Sequence, residues 1–326
     1  MIKSIILFAI GLVLLIKGGD WFVDGATGIA KRFRLPDIVV GATVVSIGTT
    51  LPEVMVSTTG ALQGSGAMAY GNAIGSIICN TALIAAISIV CNPGPVNVKS
   101  MKTPAIFFFA SAGLYCLAAY GLGTFPRWMG FVMMAIFVAY TVLTVRNGMK
   151  NPDAAEEEEE EEGKERKLWQ ELALLVIGAA VIAVGADLLV EHGQIIAIGL
   201  GVPETVVALL FVALGTSLPE LVTTITSLKK GRASLGVGNV IGANVFNLVL
   251  VSGVAVSLAP FDVPCENLLL DTGLNLSLVF DIPVMLGVMS LMIFPALITK
   301  KLGRWQGIAL LGIYLAFVVC QFVLSA

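Results

Sequence analysis

Two glutamates sit inside long apolar stretches of this chain, in nearly the same setting: Gly48-Thr49-Thr50-Leu51-Pro52-Glu53 and Gly215-Thr216-Ser217-Leu218-Pro219-Glu220. A carboxylate in such surroundings is expensive, and by default it marks a place where a cation or proton is handled. Pro52 and Pro219 lack the amide hydrogen that would close the helical bond to the carbonyl four residues earlier. Carbonyls around Ser46 to Thr49, and around Ala213 to Thr216, are thereby freed to face an ion. Thr49 stands four residues before Glu53, one turn away on the same helix face, and Thr216 stands likewise to Glu220. Thr50 and Ser217 lie three residues before their glutamates.

A second wall is written in Gly71-Asn72-Ala73-Ile74-Gly75 and Gly238-Asn239-Val240-Ile241-Gly242. Asn72, Ser76 and Asn80 form one helical stripe, matched by Asn239, Ala243 and Asn247. The four glycines are expected to let helices approach closely. Together the candidates supply carboxylate, carbonyl, hydroxyl and amide oxygen, without clustered sulfur or imidazole. That set suits hard cations: Ca²⁺, Na⁺, Mg²⁺ or Mn²⁺. Two glutamates neutralise one divalent ion or two monovalent ions. An empty site leaves two bare anions, which is costly to reorient and favours exchange over uniport. On the residues alone, coupling to protons and a passive cation channel stay open as alternatives. Enzyme chemistry is not expected, since no nucleophile–base pair or catalytic metal cluster occurs.

The elements that must hold these residues are membrane spans. Of 326 residues, 57% are hydrophobic and 13% charged, against about 25% charged in soluble domains. The apolar runs are continuous and long enough for helical spans, not alternating as in a barrel. An all-α polytopic membrane protein with ten transmembrane helices follows, at about 3–28, 36–62, 68–92, 103–122, 126–146, 168–194, 203–228, 235–260, 279–298 and 303–325. Sixteen of the 19 Lys and Arg residues fall in connections 1–2, 3–4, 5–6, 7–8 and 9–10, and only Lys3 and Arg127 fall on the other side. The positive-inside rule makes the first group cytoplasmic and both termini extracytoplasmic. Lys17, within the first span, is expected to snorkel or to pair with Asp20. Met1 to Ile16 has the look of a secretory leader, but a matching segment later in the chain argues that it stays as a span.

That match is part of a repeat. Glu53 and Glu220, Asn72 and Asn239, Asn80 and Asn247, Pro36 and Pro203, and Asp20 and Asp187 all differ by 167 positions. Five spans separate equivalent points, and an odd number turns one copy upside down, so the halves are expected to be inverted five-helix repeats, 1–146 and 168–326. Such repeats place substrate sites at their interface near mid-membrane. The connection 147–167, with the acidic run Glu156 to Glu162, reads as a solvated tether. Cys79, Cys91, Cys116, Cys265 and Cys320 are dispersed and read as packing residues, as does His192.

The paired motifs GTTLPE and GTSLPE, with GNAIGSIICN and GNVIGANVFN, resemble the sodium/calcium exchanger branch of the cation/calcium exchanger superfamily, over nearly the whole chain. The resemblance implies a secondary antiporter of the plasma (inner) membrane, exchanging three Na⁺ for one Ca²⁺ by alternating access. Glu53 and Glu220 would be the central calcium ligands. Thr49 and Thr216 would bind both ions, Ser46 and Ala213 would offer backbone carbonyls, and Thr50, Ser76 and Ser217 would line the flanking sodium sites, with Asn80 and Asn247 beside them. Two departures stand out. Ala243 replaces a usual serine, removing a hydroxyl from one sodium site. Asn80 and Asn247 are both neutral where many relatives carry an aspartate, which argues against potassium cotransport. No cofactor, nucleic acid or obligatory protein partner is expected beyond the two ions and the bilayer.

Overall fold

A computed structural model describes residues 2–150, 166–199, 215–264 and 274–324. Their helices are α1 (Ile2–Phe33), α2 (Asp37–Thr49), α3 (Leu51–Leu62), α4 (Gly66–Cys91), α5 (Val98–Leu122), α6 (Arg127–Met149), α7 (Leu168–Gly199), α8 (Leu218–Lys229), α9 (Ala233–Leu258), α10 (Ser277–Thr299) and α11 (Arg304–Leu324). Eight are long and apolar enough to cross a bilayer, and α2 with α3, bent by 45°, makes a ninth candidate. The chain is thus a mostly helical, multi-pass membrane protein. Of the expected span 203–228, residues 203–214 lie outside the described residues, as do Ala213, Cys265 and the run Glu156 to Glu162.

Burial sorts the helices into an inner and an outer layer. The most apolar stretch of α9 is 83% buried and that of α4 72%, against 22% in α7 and 17% in α11. An apolar helix left uncovered needs lipid as its solvent. Large side chains accordingly line the outside, among them Ile6 and Val13 on α1, Phe131 on α6 and Val176 on α7.

Helices α1 and α7 form a tight pair through glycines at seven-residue spacing, Gly11, Gly18 and Gly25 against Gly178 and Gly185. A Cβ added to Gly178 would stand 2.6 Å from the Phe22 amide nitrogen, and one on Gly25 would stand 2.6 Å from the Glu171 carbonyl oxygen. In lipid, where apolar contacts carry little solvent-driven gain, this backbone-to-backbone packing is what holds a helix pair. The expected close approach at Gly238 and Gly242 is also present. Cβ atoms there would run into Ile38 and into Ala42 and Ser46 of α2. For Gly71 and Gly75 the matching partners, positions 205, 209 and 213 by the same 167-residue offset, lie outside the described residues.

The helix pattern recurs along the chain. Leu51–Leu62 returns as Leu218–Lys229, and the α-helical turns Gly66–Cys79 return as Ala233–Phe246, each followed by a wider π-helical stretch beginning at Asn80 and at Asn247. Two short antiparallel pairings tie the loops. Strand β1 (Gly94–Pro95) pairs with β4 (Lys301–Leu302), and β2 (Thr124–Phe125) pairs with β3 (Phe261–Asp262).

Polar contacts group the connections by end. Arg232 pairs with Asp37 at 3.3 Å, the Arg32 guanidinium donates to the Arg166 carbonyl, Asn147 donates to Thr103, and Arg304 donates to the Val90 carbonyl. With β1 and β4 these gather the five basic connections at one end. At the other end, Arg127 donates to the Leu258 carbonyl beside β2 and β3. One expectation is corrected here. Asp20 faces Lys230 at 3.8 Å, not Lys17, which is exposed. Lys230 also meets Asp24 at 2.6 Å, because the turn after α8 lies against α1 and brings the ammonium to the same helix face as both acids.

Candidate cation site

Each motif starts a helix just before its proline, at Leu51 and at Leu218. The chain leaves α2 at Thr49 and restarts as α3 at Leu51, with Pro52 in the new first turn, where its missing N–H costs nothing. Pro219 occupies the same turn of α8. Glu53 and Glu220 are therefore held in the first turns of α3 and α8, where the helix dipole favours negative charge. Both side chains are fully buried, and the two carboxylates are electrostatic neighbours.

The donors and acceptors around them fall into two sets. In the first set, every polar side-chain atom is buried without a partner among the described residues: both oxygens of Glu53 and of Glu220, the hydroxyls of Thr50 and Ser217, and both amide atoms of Asn80 and of Asn247. Buried polar atoms are nearly always satisfied, so such a cluster calls for an occupant. Six unpartnered side chains carrying oxygen, two of them carboxylates, match the coordination chemistry of Ca²⁺ and Na⁺. No group of three or more His, Cys, Asp or Glu that could hold a metal occurs among the described residues.

In the second set, hydrogen bonds run between motif copies. The Thr49 hydroxyl borders the Glu220 carboxylate and donates to Asn239 Oδ1 at 3.1 Å. The Thr216 hydroxyl donates to Asn72 Oδ1 at 3.4 Å. Ser46 lies 2.8 Å from the Gly41 carbonyl and 2.9 Å from the Asn239 carbonyl, so its hydroxyl is spent on backbone. The Ser46 carbonyl accepts the Thr50 amide at 3.0 Å, with the Thr49 hydroxyl 3.5 Å away. Ser76 lies 3.5 Å from Asn72 Oδ1. Ala243, the departure from the motif, is fully buried on α9. A cavity of about 10 Å³, near the size of one water, touches Thr49, Pro52 and Pro219 and is closed by Phe22, Ala179, Ile182 and Ala183 of the α1–α7 pair.

Among the described candidates, Glu53, Glu220, Thr50, Ser217, Asn80 and Asn247 carry buried side-chain oxygens without a partner, Thr49 bonds to Asn239 while Thr216 and Ser76 face Asn72, and Ala213 lies outside the described residues. Sequence reading placed Asn72 and Asn239 on the second wall without giving them a role. Their retention at equivalent positions in both copies was the available signal. Asn244, buried on α9 and bonded to Thr81 at 2.7 Å, had no such signal, since position 77 of the first copy is isoleucine.

Comparison with known proteins agrees with this geometry. The profile described as sodium/calcium exchanger protein matches residues 3–146 and 171–323. The chain is 30% identical to the sodium/calcium exchanger MaX1 of Methanosarcina acetivorans, with 98% of each chain covered. It is 29% identical to the inner membrane protein YrbG of Escherichia coli over 81% of this chain and 82% of that one. Its fold superposes on the sodium-calcium exchanger NCX_Mj, in a crystal soaked with Na⁺ and Sr²⁺, at a TM-score of 0.78 and 30% identity, with 98% of each chain covered. Two buried glutamates in the first turns of α3 and α8, in a chain whose residues 3–146 and 171–323 match this profile, place the protein in the sodium/calcium exchanger family of membrane antiporters.

Proposed function

We propose that the protein exchanges Na⁺ for Ca²⁺ at one mid-membrane site, with Glu53 and Glu220 as the central ligands. The observation that carries this reading is the pair of neighbouring buried carboxylates, whose four oxygens have no partner among the described residues. A Ca²⁺ ion cancels both charges, and Na⁺ ions do so in its absence. The empty site stays doubly anionic in a dry environment and is costly to carry across. Thr49 and Thr216 add hydroxyl oxygen to either ion. Thr50, Ser76, Ser217, Asn80 and Asn247 line the flanking sodium positions, and Ser46 and Ala213 contribute carbonyls.

Alternating access follows from two inverted halves, 1–146 and 168–326, joined by the tether 147–167. Several features support that division. Helices 51–62 and 66–91 recur at equal length 167 positions on, as 218–229 and 233–258, and exchanging the halves turns the β1–β4 pairing into the β3–β2 pairing at the opposite end. The end carrying the basic connections is assigned to the cytoplasm, which leaves both termini outside. Among the described residues the halves are not in the same state. Gly19 of α1 packs on Val222 and Thr226 of α8, whereas α3, the counterpart of α8, does not lie along α7 in the same way. That asymmetry is what one state of an alternating-access carrier requires.

The decisive measurement is Ca²⁺ flux in proteoliposomes with an imposed Na⁺ gradient and clamped pH. Uptake driven by the Na⁺ gradient is expected. Uptake driven only by a proton gradient, or a Ca²⁺ leak without any counter-ion, would refute the reading.

A further inference from the structure

Asn72 and Asn239 bond to the threonines of the two motifs, yet their own geometry is not that of ion ligands. Asn72 Nδ2 donates to the Glu53 carbonyl at 3.2 Å and to Ser57 Oγ at 2.8 Å. A backbone carbonyl only accepts, so the amide orientation is settled: nitrogen faces α3, and Oδ1 faces Thr216 and Ser76. In the other copy Asn239 Oδ1 faces Thr49 at 3.1 Å and Ser46 at 3.3 Å. Each asparagine thus bonds to the threonine of the opposite motif, Asn239 to Thr49 and Asn72 to Thr216.

We propose, on the reading of Glu53 and Glu220 as cation ligands given above, that Asn72 and Asn239 are positioning residues that set the polarity of the two threonine ligands. A hydroxyl has one hydrogen and two lone pairs. Once Asn239 Oδ1 takes the Thr49 hydrogen, the oxygen turned to the cavity carries only lone pairs, which is what a cation needs. Without the amide acceptor, the hydrogen is left to the Ser46 carbonyl at 3.5 Å or to the Glu220 carboxylate beside Thr49, where it competes with the ion for that oxygen. The arrangement is the hydroxyl counterpart of an outer partner orienting a metal-bound imidazole.

The two amides differ in one respect that a test can exploit. The donor side of Asn72 is engaged with the Glu53 carbonyl and Ser57, whereas Asn239 Nδ2 has no partner among the described residues. Aspartate keeps the acceptor and removes the donor. Asn239→Asp should therefore retain the function, and Asn72→Asp should set a carboxylate against the Glu53 carbonyl and lose it.

The experiment measures half-saturating Ca²⁺ and maximal rate in proteoliposomes for the whole protein, with thermal melts alongside. Asn239→Leu is expected to raise half-saturating Ca²⁺ by about tenfold, in line with the loss of an outer partner, at a maximal rate within about twofold of the parent. Asn239→Asp is expected to rescue most of that loss, and Asn72→Asp is not. Thr49→Val combined with Asn239→Leu should cost no more than either alone, since both act through one hydroxyl. Additive losses, equal effects of the two aspartate variants, or an unchanged half-saturation in Asn239→Leu would each overturn the proposal. If the leucine variant does not fold, the aspartate pair decides alone. Glu53→Gln and Glu220→Gln in the same assay separate the two levels. Exchange surviving in them removes the cation site itself, whereas their loss beside a neutral Asn239→Leu removes only the positioning role.

Discussion

At the scale of single residues, the chemistry rests on charge that is buried and unpaired. Glu53 and Glu220 have no hydrogen-bond partner among the described residues, although both are fully buried. Each carboxylate costs several kcal/mol in the empty protein, a penalty that a bound cation removes. Glu53→Gln and Glu220→Gln are each expected to abolish exchange and, at the same time, to raise the melting temperature of the ion-free protein. Ca²⁺ at one hundred times its Kd should stabilise the parent by about 2.7 kcal/mol and either variant by nothing. A Ca²⁺-dependent rise in the melting temperature of Glu220→Gln would remove that residue from the site. Ala243 follows the same logic with smaller stakes. It sits fully buried one turn after Asn239, and Ala243→Ser adds one hydroxyl to the sodium side. The Na⁺ activation curve should shift to lower concentration, and an unmoved curve counts against a sodium position there.

At the scale of elements, function depends on where helices break and where they cannot separate. The break at Thr50 ends α2 and lets α3 restart with Glu53 in its first turn, bent by 45°. The glycine seam between α1 and α7 does the opposite and holds two long helices in backbone contact. Gly178→Ala puts a methyl group 2.6 Å from the Phe22 amide nitrogen, against backbone that cannot step aside. Overpacking of this kind costs about 1–3 kcal/mol. The expected result is a lower melting temperature in detergent, with reduced transport, because the same pair closes the cavity beside Thr49 and the two prolines.

At the scale of the whole molecule, charge and hydrogen bonding divide the protein into two ends. The basic connections touch one another through Arg232 with Asp37, Arg32 with Arg166 and Arg304 with Val90, so the asymmetry in the sequence is also an asymmetry in space. Cys91, exposed at the end of α4 beside Arg304, reports which end is which. In a chain carrying only that cysteine, a membrane-impermeant maleimide should label it from the cytoplasmic side of oriented vesicles and not from the outside. Labelling from the outside would reverse the orientation drawn from the basic residues. The ion pairs of Lys230 with Asp20 and Asp24 bind the turn after α8 to α1 at this same end. With side chains about a third exposed, such pairs contribute at most about 1 kcal/mol.

Much of this was already written in the order of residues. Spans follow from continuous apolar runs because lipid accepts no unpaired backbone, and the two glutamates stand out because such a medium tolerates almost no charge. The duplication is legible because equal spacing survives the loss of most identities, from Glu53 and Glu220 to Asn80 and Asn247. Contacts across the repeat are another matter. That Thr49 bonds to Asn239, that Lys230 reaches Asp20 and Asp24 rather than leaving Asp20 to Lys17, and that Gly238 packs against Ile38 were decided by tertiary structure. The physical reason is range. Hydropathy and helical spacing act over one turn to one span, whereas these pairs are nearly two hundred residues apart and depend on how whole helices are shifted and rotated against each other.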